Sequence, residues 1–174
     1  MDGLISIFDL QTQQLRHKLT GHFKPVRSIA FTPGARGTGD DAWPAIGAPR
    51  SHKHALLAPS TCSQPPTFPH TDSQLLLSAC DDMHVHLHEA NGNLVEAFSG
   101  HESWVLSVAA HADNTHFATG SSDGSVKLWD ISQRACIMTA TEHKDQVWSV
   151  AFNGDGSQLV SCGDDGVVAT YHAQ

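Results

Sequence analysis

Basic residues are few in this sequence, and they are not clustered. Ten Lys and Arg stand against 18 Asp and Glu among 174 residues, which gives a formal net charge of −8. Proteins contact phosphate backbones and anionic lipid head groups through clusters of Lys and Arg. We therefore expect neither nucleic acid nor membrane among the direct partners of this chain.

Long apolar runs and paired cysteines are also missing. No apolar stretch approaches the roughly 20 residues that span a bilayer. The N-terminus has an acid at Asp2 and lacks the basic segment that begins a signal peptide. The four cysteines are widely spaced, with no CxxC pair, so we expect reduced thiols in an intracellular protein. They are Cys62, Cys80, Cys136 and Cys162.

What the sequence does contain is a repeat. Three segments align without gaps: GHFKPVRSIAF from Gly21, GHESWVLSVAA from Gly100 and EHKDQVWSVAF from Glu142. The histidines of the last two, His101 and His143, are 42 residues apart. A period of about 40–45 residues is typical of repeats that each supply four β-strands.

One segment interrupts the repeat. His22 lies 79 residues before His101, and the distance becomes 41 when the 38 residues 34–71 are left out. This segment is rich in Pro, Gly, Ala and Ser and has no period of 2 or 3.6 residues. Without it, the flanking sequence reads FTPDSQLLLSACDD and parallels FNGDGSQLVSCGDD at 152–165. We predict a disordered insertion of foreign origin, such as an alternative transcript.

The insertion divides the chain into three parts. Residues 1–33 hold a partial blade and the start of the next repeat, 34–71 form the insertion, and 72–174 hold the remaining repeats. Strand signals separated by turns number two, four, four and three along the chain. We predict an all-β fold, a partial β-propeller of about three blades. Such an open arc leaves bare edges, so we expect the truncated product of a longer gene, marginally stable alone.

The signature of the WD-repeat family occurs in full once, with Gly100 before His101 and Trp129 before Asp130. The chain therefore resembles WD-repeat proteins, in which a His, a turn Asp, a strand Ser or Thr and a Trp form a buried hydrogen-bond chain in each blade. By position, the resemblance implies three structural sets. They are His101, Thr119, Asp123 and Trp129; His22, Ser78 and Asp82; and His143, Ser161 and Asp165.

These sets also look like Ser–His–Asp catalytic triads. We interpret them as structural for two reasons. The Trp forms a hydrogen bond with the hydroxyl that would have to act as the nucleophile, and the sequence has no GxSxG elbow. We therefore expect no enzymatic activity and no cofactor. His88, Tyr171 and Phe8 stand at the Trp position in the other units, so those sets should be weaker.

Three histidines, His84, His86 and His88, alternate along one predicted strand and should face the same side. Neutral imidazoles bind zinc. Strand neighbours two residues apart are about 7 Å from each other, however, and no Cys or carboxylate motif completes the set. We interpret this row as an incidental polar strand and expect no metal site.

WD-repeat proteins commonly bind partners on one rim of the propeller, and the resemblance implies the same here. Trp and Arg are frequent interface anchors. The alternative is that the two tryptophans of the set pack between neighbouring blades. The rim positions are Pro25, Arg27, Asp81, Trp104, Leu106, Ser122, Gln146, Trp148 and Asp164.

Longer strings, such as SGHESWVLSVA and EHKDQVWSVAFNGDGSQLVSCGDD, resemble one branch of the family, the WD-repeat subunits of superkiller complexes. The resemblance covers 2–33 and 72–172. It implies a seven-bladed parent that acts as a non-catalytic scaffold in the nucleus and cytoplasm. Its assemblies would be the superkiller complex of exosome-linked mRNA decay and the polymerase-associated factor complex of transcription elongation and histone methylation. The partners would be tetratricopeptide and helicase subunits of the first, and subunits of the second.

Two alternatives remain. One is a substrate receptor of a cullin ubiquitin ligase, a role that usually shows WDxR after the third strand. Here the sequence reads WDISQR and places Arg134 two residues late. The other is a truncated fragment without function.

Overall fold

Thirteen strands make up the fold in the computed structural model, which describes residues 3–33, 75–89 and 91–172. The all-β prediction is confirmed, and the predicted insertion at 34–71 lies outside the described residues. The strands are β1 (Ile5–Phe8), β2 (Leu15–Leu19), β3 (Val26–Phe31), β4 (Leu75–Cys80), β5 (His84–Glu89), β6 (Leu94–Ser99), β7 (Val105–Ala110), β8 (His116–Ser121), β9 (Val126–Asp130), β10 (Ala135–Ala140), β11 (Val147–Phe152), β12 (Gln158–Gly163) and β13 (Val168–His172).

The strands form four antiparallel sheets, each built from strands that follow one another in the chain. We call them blade 1 (β1 and β2), blade 2 (β3 to β6), blade 3 (β7 to β10) and blade 4 (β11 to β13). The two, four, four and three strands of the partial WD40 propeller are therefore as predicted. The strands β3, β7 and β11 are the inner strands, and β7 lies beside both of the others.

Tight turns join the second and third strands of blades 2, 3 and 4. In blades 3 and 4 the turn Asp is followed by a glycine with positive φ, Gly124 at 80° and Gly166 at 72°. A glycine adopts this left-handed backbone without steric cost. In blade 2 the equivalent residue is Met83, with a φ of 71°. A residue with a side chain is sterically disfavoured in this left-handed conformation.

Each boundary between blades has its own apolar core. Blades 2 and 3 enclose a cluster that includes Phe98, Phe117 and Trp129. A second cluster between blades 3 and 4 includes Val126 and Val147, and a smaller third cluster lies between blades 1 and 2. The core is thus a series of separate layers, and each layer orients the strands on both of its sides.

A bulge at the start of each inner strand turns one serine toward the next blade. The register shifts before Ser28, Ser107 and Ser149 in the three inner strands. Ser28 Oγ accepts a hydrogen bond from the backbone N–H of Val108 at 3.4 Å, and Ser107 Oγ accepts one from Val150 at 3.1 Å. The equivalent Ser149 is exposed.

Three of the four cysteines, Cys80, Cys136 and Cys162, are free thiols, and Cys62 lies outside the described residues. Over the described ranges, the structure shows no helix that is long and apolar enough to cross a membrane.

Candidate functional site

The four predicted residues of blade 3 meet in one hydrogen-bond chain. His101 Nδ1 lies 3.0 Å from Asp123 Oδ2, and His101 Nε2 lies 2.7 Å from Thr119 Oγ1. Trp129 Nε1 donates to the same Thr119 oxygen at 2.9 Å. The chain ties the turn before β7 to β8 and β9, so it holds the blade together across its width.

The electrostatics of this chain favour a neutral imidazole beside an ionised carboxylate. Burial acts to raise the pKa of Asp123, but hydrogen bonds from Ser125 and from the backbone of Glu102 lower it to about 2. Burial lowers the pKa of His101, and Asp123 offsets only part of that shift. Ser125 donates to Asp123 Oδ1 at 2.6 Å. The family pattern does not point to this serine, and the sequence analysis missed it.

Blades 2 and 4 repeat the arrangement without the Trp. In blade 2, His22 Nδ1 lies 2.7 Å from Asp82 Oδ2 and His22 Nε2 lies 2.8 Å from Ser78 Oγ. In blade 4, the corresponding atoms of His143 lie 3.1 Å from Asp165 and 2.7 Å from Ser161. All three predicted sets are therefore brought together.

The residues at the Trp position differ in how they complete these sets. Tyr171 Oη lies 3.4 Å from Ser161 Oγ, so blade 4 keeps a weak version of the bond. In blade 2, neither ring nitrogen of His88 has a hydrogen-bond partner of normal geometry among the described residues, and His86 Nδ1 is equally unsatisfied. Burial lowers the pKa of His88, with the backbone of Thr20 acting in the opposite direction.

His86 is the most perturbed imidazole of this group. Its ring stacks on His22 with centroids 3.8 Å apart. Burial, followed by the nearby His22, lowers the pKa of His86 to about 4. The row of three histidines is spread out, with ring centroids 6.4 Å apart for His84 and His86 and 5.8 Å for His86 and His88.

The hydrogen-bond chain of blade 3 has the geometry of a structural element and not of a nucleophilic site. The side chain of Thr119 is completely buried, and its oxygen serves both His101 and Trp129. A nucleophile needs an exposed oxygen with a free approach for the substrate. The arrangement therefore supplies buried hydrogen bonds that stabilise the blade.

Six of the nine predicted rim residues form three equivalent pairs. The backbone N–H of Asp81 donates to Pro25, that of Ser122 donates to Trp104 and that of Asp164 donates to Gln146, at 3.1, 2.9 and 3.0 Å. Each bond joins the segment before an inner strand to the turn after the second strand. The pairs thus lie at the same end of three successive blades.

Side-chain contacts link this rim across blades 2, 3 and 4. Arg27 donates to both carboxylate oxygens of Asp81, at 2.6 and 2.5 Å, and its guanidinium lies 5.9 Å from the ring centroid of Trp104. Trp104 in turn lines a shallow cleft of about 300 Å³ with Asp145 and Gln146. The rim is therefore one continuous surface.

Exposure separates the apolar rim residues. Trp104 and Trp148 are 47% and 50% exposed, so each indole presents a large apolar face to solvent. Leu106 is only 6% exposed and lies beneath the surface. The role of these residues in binding stays a prediction.

The family model described as "WD domain, G-beta repeat" matches residues 92–130 and 134–171, so these two segments are similar to WD40 repeats. The chain is similar to "Superkiller complex protein 8" of Dictyostelium discoideum, at 34% identity over 90 residues. It is also similar to "Target of rapamycin complex subunit wat1" of Schizosaccharomyces pombe, at 30% identity over 123 residues. A third relative is "Guanine nucleotide-binding protein subunit beta" of Zea mays, at 28% identity over 192 residues.

The three alignments differ in how much of each protein they include. The superkiller, target of rapamycin and G-protein relatives align with 50%, 63% and 95% of this chain. The chain spans 30%, 38% and 49% of the length of these three relatives. The similarity therefore concerns the repeats and only part of each relative.

Proposed function

We propose that this chain, which carries WD40 repeats, is a non-catalytic scaffold that binds protein partners through the rim at the start of its inner strands. The observation that carries the proposal is the pair of half-exposed indoles, Trp104 and Trp148, at equivalent ends of neighbouring blades. Buried Trp and Arg anchors contribute most of the free energy at many protein interfaces. A Trp that is half exposed in the free chain leaves that contact available.

The fixed geometry around the indoles supports this role. Arg27 is held by Asp81, which is itself buried, and so keeps its guanidinium above Trp104. A surface that is ordered before binding loses little side-chain entropy on association. The cleft beside Trp104, with Asp145 and Gln146, adds polar groups that can select a partner.

We further propose the superkiller complex and the polymerase-associated factor complex as the assemblies. The similarity to "Superkiller complex protein 8" supports the first. The direct partners would be its tetratricopeptide and helicase subunits, and elongation-factor subunits in the second complex. The low content of basic residues is consistent with protein partners and not RNA.

Affinity purification of the tagged chain from cells, followed by mass spectrometry, tests the proposal. We expect superkiller or polymerase-associated factor subunits with the wild type. Trp104→Ala with Trp148→Ala should reduce their recovery by about tenfold or more, since truncating a Trp anchor commonly costs about 2 kcal/mol. The matched control is Ile137→Ala, which removes an exposed apolar side chain from the outer strand β10.

Each outcome bears on a different part of the proposal. Equal recovery with the double Trp variant, at unchanged thermal stability, would exclude the rim as the binding surface. Recovery of cullin ligase subunits would point to the substrate-receptor alternative, and recovery of chaperones alone would point to a fragment without function.

A further inference from the structure

The turn between β7 and β8 gathers two imidazoles and one carboxylate away from the tetrads and the rim. His111 begins the turn, Asp113 lies in it and His116 begins β8. One ligand atom from each residue lies within 4.8 Å of the other two. His111 Nδ1 is 3.0 Å from Asp113 Oδ1, and His116 Nδ1 is 2.6 Å from Asp113 Oδ2.

We propose that this turn binds a divalent transition-metal ion of the zinc type through His111, Asp113 and His116. Zinc takes imidazole nitrogens and carboxylate oxygens at about 2.0–2.2 Å in a tetrahedral arrangement, which places neighbouring ligand atoms about 3.3 Å apart. Each imidazole nitrogen here lies within 3.0 Å of one Asp113 oxygen, and all three ligand atoms lie within 4.8 Å of one another. Small rotations of the side chains would let them share one ion.

The outward nitrogen of His111 has the partner expected of a metal ligand. His111 Nε2 lies 3.0 Å from the carbonyl oxygen of Gly156, which can only accept, so Nε2 carries a proton. In a neutral ring, Nδ1 is then an acceptor directed at the turn, where the backbone N–H of Asp113 donates to it at 3.2 Å and a metal ion would replace this bond. Metal-binding histidines usually direct their second nitrogen to a backbone carbonyl or a carboxylate, as His111 does. His116 Nε2 lies 3.9 Å from Asp130 Oδ2, which is too far for a hydrogen bond.

The carboxylate is fixed by the backbone. Asp113 Oδ1 accepts the backbone N–H groups of Thr115 and His116, at 2.8 and 3.0 Å. A carboxylate held this close to two imidazole nitrogens can share one cation with them.

Gly156 and Phe152 of blade 4 contact the imidazole of His111 and hold it in place. Gly156 has a φ of 80°, and a Cβ there would lie 2.2 Å from His111 Nε2, so the imidazole sits directly on the glycine. The ring of Phe152 contacts the imidazole edge to face, with centroids 4.9 Å apart. A bound ion would therefore also strengthen the connection between blades 3 and 4.

The site is open on one side, as a three-residue metal site requires. The side chains of His111, Asp113 and His116 are 17%, 38% and 31% exposed. A water molecule can therefore complete a fourth position.

Titration of the metal-free 174-residue chain with Zn²⁺ at pH 7.5, by calorimetry, tests the proposal. We expect one saturable site and a higher unfolding temperature with zinc. Long-range ¹H–¹⁵N spectra should show the Nδ1 resonances of His111 and His116 shifting on zinc addition. His116→Gln and Asp113→Asn should each weaken the site by about tenfold or more.

The matched control is His84→Gln, which removes a part-exposed imidazole from the other histidine row and should leave zinc affinity unchanged. Absence of a saturable site in the folded wild type would overturn the proposal. So would a site whose affinity is the same in His116→Gln and Asp113→Asn as in the wild type. Either result would show that protons alone balance the Asp113 charge.

Discussion

Ser107 accepts a hydrogen bond from the backbone N–H of Val150, 3.1 Å away in the neighbouring blade. The serine is only 7% exposed, so its loss would leave the N–H of Val150 buried and without this partner. A buried, unsatisfied N–H group costs about 1–3 kcal/mol. The bond therefore couples the inner strands of blades 3 and 4 directly.

Ser107→Ala should lower the free energy of unfolding by about 1–2 kcal/mol in urea denaturation. Ser149→Ala is the matched control, since this serine holds the equivalent position on an exposed surface. It should change stability by less than about 0.5 kcal/mol. An equal loss in both variants would contradict the role given to the bond between blades.

Thr119→Val should be more damaging, because it removes the oxygen that both His101 and Trp129 use. The two buried nitrogens would lose a partner together, at a cost of about 2–4 kcal/mol by urea denaturation. Thr139→Val on the neighbouring β10 is the control, because Thr139 is exposed and bonds only to exposed groups. A loss in Thr119→Val no larger than in this control would refute the stabilising role of the blade 3 set.

Acidification should destabilise the chain between about pH 6.5 and about pH 4. Burial and the nearby His22 lower the pKa of His86 in the folded chain to about 4, against an unperturbed 6.5. The unfolded chain therefore binds the proton first, so stability is complete above pH 6.5 and falls as the pH drops toward 4. The loss from His86 is on the order of 2–3 kcal/mol, measured as the urea midpoint against pH.

The double variant His86→Lys with His88→Trp tests the cause of this acid response. It copies the Lys127 and Trp129 of blade 3 and offers Ser78 an indole donor. We expect a flatter stability profile, with a remaining slope from His101, whose pKa is also lowered by burial. An unchanged slope would assign the response to other groups.

Arg27→Ala should lower the free energy of unfolding modestly, because it removes contacts of the rim. The lost contacts are the pair of hydrogen bonds to Asp81 and the stacking over Trp104. Because the arginine is partly exposed, the expected cost is about 0.5–1 kcal/mol. Arg27→Lys should recover only part of it, since an ammonium lacks the planar fork.

Arg134→Ala is the comparison for Arg27→Ala. Arg134 forms a more exposed pair with Glu96, 2.9 Å away, and its loss should be smaller in the same denaturation experiment. If full stability returned with Arg27→Lys, charge alone would account for the effect.

Repeat spacing was sufficient to predict the strands and their division among blades, since each histidine and each turn Asp marks a fixed place in the repeat. The three hydrogen-bond sets were implied by the family resemblance, and the structure brings their residues together. Burial was less predictable. Leu106 and Trp148 hold equivalent positions after the first valine of an inner strand, yet one is 6% and the other 50% exposed.

The His111, Asp113 and His116 cluster escaped prediction because its geometry depends on a neighbouring blade. The spacing HADNTH resembles no metal motif with a fixed pattern. The support for His111 comes from Gly156, 45 residues away. Contacts of this kind between repeats follow from packing and not from the period within a repeat.

The separate apolar layers between successive blades have a consequence for how the chain loses structure. Each layer couples only nearest neighbours, so unfolding free energy is distributed as in a linear array. Amide hydrogen exchange should then be graded along the chain, slowest in blades 2 and 3, each of which has a layer on both sides. A defect at one boundary would release the blade beside it while the remaining sheets keep their native pairing.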